Sequence, residues 1–188
     1  MQILESHLLG RRSGVRPTVP ADGDDSEDPA HETRRHSWRG APAAFDCFLL
    51  AGRYTLLEQN GLDDLLPLAE QQGFSLLVGG PFNSGILATG ATPGAKYNYK
   101  PAPEAILERV ARIDVICQRH HVPLAAAAIQ FPLGHPSIAA IVPGAVSPSE
   151  VERNADYIDL PIPQSLWDEL KAGKLLAADA RVPITGAT

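Results

Sequence analysis

Three short runs constrain this chain more than anything else in it: FDCFLLAG (Phe45–Gly52), FSLLVGG (Phe74–Gly80) and SIAAIV (Ser137–Val142). Each has strand length and is apolar at consecutive positions instead of alternate ones, which is the pattern of a strand buried on both faces. Segments with helical spacing lie between and after them. LDDLLPLAEQQG (Leu62–Gly73) ends in a glycine placed to stop a helix, and APEAILERVARIDVICQRHH (Ala102–His121) lines Ile106, Val110, Ile113, Ile116 and Cys117 along one face. PLAAAAIQFPLGHP (Pro123–Pro136) reads as a second, alanine-rich helix, and PQSLWDELKAG (Pro163–Gly173) as an amphipathic one capped around Gln164 or Ser165. Strands alternating with helices in this way predict an α/β fold whose parallel sheet is covered on both sides.

Residues 1–44 are of another kind. SGVRPTVPADGDDSEDPAHETRRHSWRGAP is rich in Pro, Gly, Asp, Ser and Arg and carries neither the two-residue nor the 3.6-residue apolar period. A segment like that cannot bury enough surface to offset chain entropy, so a disordered tail is expected over 1–44 and a folded region over 45–188. Its acidic run Asp22–Asp28 reads as solvated. His31 and His36 have no third ligand spaced to join them, so no metal site is expected.

The 188 residues, 44% of them apolar, suffice for one domain with a real core. A net charge of -6 without a basic stripe argues against nucleic acid as partner. No apolar stretch reaches the ~18 residues of a membrane span, and Met1–Leu9, with Glu5 and His7 inside it, does not read as a signal peptide. Cys47 and Cys117 form no metal-binding or redox pattern, and two buried or inert thiols in a reducing compartment are expected. These readings predict a soluble, cytoplasmic protein. Three strands alone leave two exposed sheet edges, which makes association through those edges an expectation too.

One further stretch sharpens the picture. IVPGAVSPSE (Ile141–Glu150) passes from strand through a small-residue segment into a fresh helix N-terminus, a geometry that suits an anion. Read without relatives, it is equally a serine N-cap followed by proline, worth ~1 kcal/mol to the helix. Together with DCFLLAGRYTLLEQ, GFSLLVGGPFNSGIL and HHVPLAAAAIQFPLGHP, in that order and spacing, it resembles the C-terminal part of the aldo-keto reductases. These are (β/α)8 TIM barrels that bind NAD(P), and the bacterial D-threo-aldose 1-dehydrogenase (L-fucose dehydrogenase) group is the most similar. The resemblance implies a partial barrel, with the three runs as strands six, seven and eight. It also implies oxidation of an aldose, a small-molecule sugar, at the anomeric carbon to a lactone.

The resemblance carries roles onto particular residues. Tyr54 matches the aromatic that stacks on nicotinamide, where a flat face fixes one side of the ring and leaves the other open. Gly80, Pro81, Phe82, Ser84 and Gly85 match the loop along the pyrophosphate, in which glycines let backbone approach and Ser84 donates to phosphate oxygens. Gly144, Ala145, Val146 and Ser147 match the cradle of the adenosine end, with a tight turn at Gly144–Ala145, and Asn154 matches the residue that contacts adenine. Glu150 stands where many members carry Arg or Gln facing the ribose. A carboxylate ~4 Å from a 2′-phosphate is repelled by ~4 kcal/mol at an effective dielectric of 20, whereas it accepts hydrogen bonds from a free diol. That favours NAD, with NADP still possible because Arg153, one helical turn on, offsets part of the repulsion. KYNYK (Lys96–Lys100) reads foremost as a solvated loop, though Tyr97 or Tyr99 could stack on a sugar.

The family's proton-handling Asp, Tyr, Lys and His lie, by the same resemblance, before strand six. Ahead of Phe45 this chain has no Tyr and no Lys. No catalytic residue is therefore assigned, and the chain, as a truncated or mis-started product, is expected to be inactive alone. A non-catalytic nucleotide-binding module and an inactive barrel remnant are the alternatives.

Overall fold

The structure is a computed structural model and describes residues 46–184. These belong to one compact unit running from Ala43 to Thr188. The tail expected over 1–44, with His31 and His36, and Phe45 lie outside the described residues.

The three apolar runs form strands β1 (Cys47–Ala51), β2 (Ser75–Gly79) and β5 (Ile138–Val142), hydrogen-bonded in the order β1-β2-β5 and all parallel. Cys47 pairs with Ser75 and Ala51 with Gly79 without a slip, while a bulge between Leu76 and Leu77 adjusts β2 against β5. Parallel neighbours need long crossovers, and the helices supply them. Between β1 and β2 lies α1 (Leu65–Gln72). Between β2 and β5 lie α2 (Ile86–Thr89), α3 (Glu104–Arg119) and α4 (Leu124–Gln130). After β5 come α5 (Pro148–Asp159) and α6 (Gln164–Ala172). The architecture is α/β, an arc of three strand–helix units; no closed barrel is present among the described residues.

Proline sets two boundaries that apolar spacing misplaces. A helix beginning at Leu62 would put Pro67 where a backbone N–H is required; starting at Leu65 puts it in the first turn, where none is needed. At the far end Gly73 adopts φ 72°, and its N–H closes on the Ala69 carbonyl, the expected glycine stop. The predicted single helix over Pro123–Pro136 ends at Gln130, because Pro132 cannot donate, and continues as a 3-10 turn over Phe131–Gly134. No side chain caps α6: Pro163 occupies its N-cap, and Gln164 instead donates to Asp168.

The core sits on one face of the sheet. Leu76, Val78 and Ile138 are buried there in one cluster with Tyr54, Leu66, Phe131 and Trp167, and Phe48 and Leu50 pack against that cluster. Every residue of α4 is buried, and its alanines let it lie close to its neighbours. Gln130 is the polar member of that helix, and it donates to the Tyr157 and Leu160 carbonyls at the end of α5, 2.6 and 2.7 Å away. The segment after α6 folds back as a strap. Arg109 and Arg112 of α3 donate to the Leu175 and Gly173 carbonyls, and the backbone at Val182 passes so close to Gly134 that a β-carbon there would sit 2.4 Å from it. Glu169 ties α6 to α3 through Arg119 and His120.

The expectation of a sheet covered on both faces is corrected. Leu49 is 65% exposed and Val142 52% exposed, and Cys47, expected to be buried or inert, is exposed beside them. None of the described elements packs on this second face, so strands that are apolar on both sides are buried on only one. Cys117 does lie in the core, where burial pushes its thiol pKa up to about 12 and keeps it protonated.

Candidate functional site

Because β1, β2 and β5 run parallel and end level at Ala51, Gly79 and Val142, the segments that follow all leave from one edge. Gly52 donates to the Gly79 carbonyl and Gly80 to the Val142 carbonyl, which extends the ladder one residue into those segments. In open parallel sheets and barrels alike, this carboxyl edge is where ligands bind.

The loop after β2 is the most constrained backbone in the region. Gly80, Asn83, Ser84 and Gly85 all have positive φ, from 46° at Asn83 to 95° at Gly85. A β-carbon on Gly80 or Gly85 would meet nothing within 4 Å, so both present bare backbone to open space. Pro81 and Phe82, assigned to the phosphate loop with them, are buried and anchor it by their side chains instead of facing a ligand. Asn83 is buried as well, and its carbonyl oxygen accepts a 2.6 Å hydrogen bond from the Thr55 hydroxyl. Thr55 in turn accepts from the Leu57 and Glu58 N–H groups, so one buried hydroxyl joins the segments after β1 and β2. Sequence reading missed this pair. The available signals were an asparagine in a glycine-rich loop, which tolerates left-handed backbone, and a threonine followed by a chain reversal.

Tyr54 is corrected. Its side chain is 0% exposed, packed 5.1 Å from the Phe131 ring and edge-on to His135 at 5.9 Å, so it does not face the carboxyl edge. Burial raises its phenol far above the ordinary range, and its hydroxyl has no hydrogen-bond partner among the described residues. A neutral phenol enclosed in this way is a core aromatic, neither a stacking platform nor a proton donor. Beside it burial pushes the His135 pKa down, the Ser137 N–H donates to its Nδ1, and Glu70 and Arg181 stand nearby.

The segment after β5 also departs from expectation. Gly144 and Ala145 make no hydrogen-bonded turn; the chain stays open there and bends at Val146–Ser147. Gly144 has no left-handed φ and open space around it, so nothing local demands a glycine. Ser147 is the N-cap of α5 as expected, its hydroxyl accepting from the Glu150 N–H at 3.3 Å and lying 3.0 Å from the Ser149 hydroxyl. Glu150 turns back and accepts from the Val146 N–H at 2.8 Å. A carboxylate therefore already satisfies one of the amides at this helix start, the place that dipole and free N–H groups offer to an anion. Arg153 is exposed. Asn154 is buried on α5.

KYNYK is not a plain loop. Lys96–Tyr97 (β3) and Lys100–Pro101 (β4) pair antiparallel around a two-residue turn at Asn98–Tyr99, both with positive φ. The Tyr99 N–H donates to the Ser84 hydroxyl at 3.0 Å, fixing the ribbon to the loop after β2. A shallow groove of about 280 Å³ lies between them, lined among others by Ser84, Gly85, Thr89 and Lys96. Among the described residues no three His, Cys, Asp or Glu side chains converge as a metal site, and no helix is long and apolar enough to cross a membrane.

The model of the aldo/keto reductase family matches residues 41–173, and the chain belongs to that family. It is 43% identical over 135 residues to a pyridoxal 4-dehydrogenase from Microbacterium luteolum, covering 72% of this chain and 40% of that protein. It is 39% identical over 135 residues to a D-threo-aldose 1-dehydrogenase from a Pseudomonas species, covering 71% and 41%. The chain thus spans about 40% of the length of these two relatives. Among solved structures, the apo form of an aldo-keto reductase from Bacillus halodurans superposes with a TM-score of 0.51 at 21% identity, over 76% of this chain and 46% of that one. A glycerol dehydrogenase from Gluconobacter oxydans gives 0.51 at 17% identity, over 76% and 45%. These two establish the fold alone.

Proposed function

We propose that this chain is the cofactor-holding part of an NAD-linked oxidoreductase, binding the dinucleotide along the carboxyl edge of its sheet. The single observation that carries the reading is the convergence of two different anion-suited backbones on that edge. One is the loop of Gly80, Ser84 and Gly85; the other is the helix start at Ser147. When bound, a nicotinamide accepts a hydride. The chain's own residues do the positioning: Ser84 and the bare backbone at Gly80 and Gly85 toward the pyrophosphate, Ser147 toward the adenosine end, and Asn154 toward the base.

Glu150 supports NAD over NADP. Its carboxylate is held in place by the Val146 N–H, and a fixed negative charge there disfavours a 2′-phosphate while still able to accept from a ribose diol. Replacing it by glutamine, Glu150→Gln, narrows the difference between the two dinucleotides.

For the substrate we propose an aldose oxidised at its anomeric carbon to a lactone. The names of the two relatives support a cyclic hemiacetal in general, since an aldose and pyridoxal both close into one. Neither Tyr54 nor Tyr99 is suited to move the proton: Tyr54 is sealed in the core, and Tyr99 has no cation bonded to its hydroxyl. The reading therefore makes the chain inactive by itself, with the family's Asp, Tyr, Lys and His contributed from outside the matched region. The exposed apolar face around Leu49 and Val142 favours association with further polypeptide. Two unpaired cysteines fit a reducing, cytoplasmic setting.

Titration calorimetry of the 188-residue chain tests this. Heat with NAD and much less with NADP is expected, together with no NADH formed from L-fucose or pyridoxal. Absence of heat with either dinucleotide sinks the binding reading, and turnover by the purified chain sinks the assignment of its chemistry elsewhere.

A further inference from the structure

The burial of Tyr54 leaves the carboxyl edge without the flat ring expected there, and the structure offers another. Tyr99 is 90% exposed, and no other aromatic side chain among the described residues is so open. It occupies the second position of a two-residue hairpin turn with φ 63°. Asn98 before it is a residue that accepts such backbone; a bulky aromatic is not, and glycine is the ordinary choice. The strain is held by neighbours. Ser84 accepts from the Tyr99 N–H, Ala102 donates to the Ala95 carbonyl across the base of the ribbon, and Tyr97 packs against the core. Lys96 and Lys100 flank the turn, and Lys96 lines the groove with Ser84 and Gly85. A solvent-facing ring on a strained turn, whose backbone is fixed to an anion-suited loop and which has a lysine on either side in sequence, has the chemistry of a site for a flat heterocycle attached to phosphate.

We propose that Tyr99 is the residue that stacks on a heteroaromatic ring of the dinucleotide, with Lys96 supplying charge to its diphosphate. This rests on the proposed binding of a dinucleotide at this edge and specifies which side chain selects for it. The Ser84 hydroxyl accepts from Tyr99 and keeps its own hydrogen for a phosphate oxygen, so ribbon and loop hold the ligand as one unit.

The test uses the full chain, with NAD, AMP, nicotinamide mononucleotide and inorganic pyrophosphate as probes, on wild type, Tyr99→Gly and Tyr99→Phe. Glycine relieves the backbone strain, so the thermal midpoint of Tyr99→Gly rises by roughly 2–4 °C. Its affinity for NAD falls by roughly 5- to 150-fold, the range of ring-on-base stacking. Its affinity for pyrophosphate stays unchanged, and Tyr99→Phe binds NAD like wild type. The mononucleotide whose affinity falls with it identifies the stacked ring. Unchanged NAD affinity in Tyr99→Gly, or an equal loss for NAD and pyrophosphate, overturns the stacking role while leaving the site intact. Wild type that binds no dinucleotide overturns the proposed function itself, and this inference with it.

Discussion

The two segments proposed to hold the dinucleotide reach the same edge by different physical means. After β2, the chain commits four residues to positive φ and fastens them from both sides, by the Thr55 hydroxyl beneath and the Tyr99 N–H above. After β5, no residue takes left-handed backbone; Gly144 to Val146 lie open, and order begins only where Ser147 and Glu150 cap α5. The first segment is shaped before any ligand arrives, at the cost of strained backbone. The second depends on a helix end whose favourable field is already partly answered by its own carboxylate. Glycine therefore means different things in the two: a conformational requirement at Gly80, a small residue with space around it at Gly144.

Substitutions can break that contrast, and the largest effect is expected where a buried polar group loses its partner. Thr55→Val leaves the Asn83 carbonyl oxygen and two backbone N–H groups unsatisfied, and should cost about 1–3 kcal/mol in a urea unfolding titration. Gly80→Ala meets no steric obstacle, so its loss of roughly 1–2 kcal/mol would report left-handed backbone alone. Ser147→Ala removes one cap and should cost about 1 kcal/mol, with the end of α5 fraying in amide exchange. Gly144→Ala should change stability by less than about 0.5 kcal/mol. If Gly144→Ala proved as costly as Gly80→Ala, the proposed difference between the two segments would be wrong.

Periodicity made the sheet legible. The three apolar runs, the Gly73 stop and the Ser147 cap lie where local pattern puts them, since each depends on residues within one turn or one strand. Other features depend on partners distant in sequence. The outward face of β1 and β2 is as apolar as the inward one, so composition alone could not tell that one would lack a cover. The hairpin at Lys96–Pro101 has no glycine at its turn, which hid it. Tyr54 illustrates the deeper limit. A tyrosine three residues beyond a strand can turn toward ligand or core, and here Phe131, His135 and Trp167, all far along the chain, provide the aromatic cluster that takes it inward. The Thr55–Asn83 bond spans 28 residues and is invisible to local reading for the same reason.

Amide-resolved NMR of the labelled full chain during titration with NAD tests the central claim most directly. The account predicts shift changes concentrated at Gly80, Ser84, Gly85, Ser147 and Asn154, with Tyr99 among them. Changes confined to the groove between α3 and α6, at Arg112, Val115 and Ala172, or no changes at all, would contradict it.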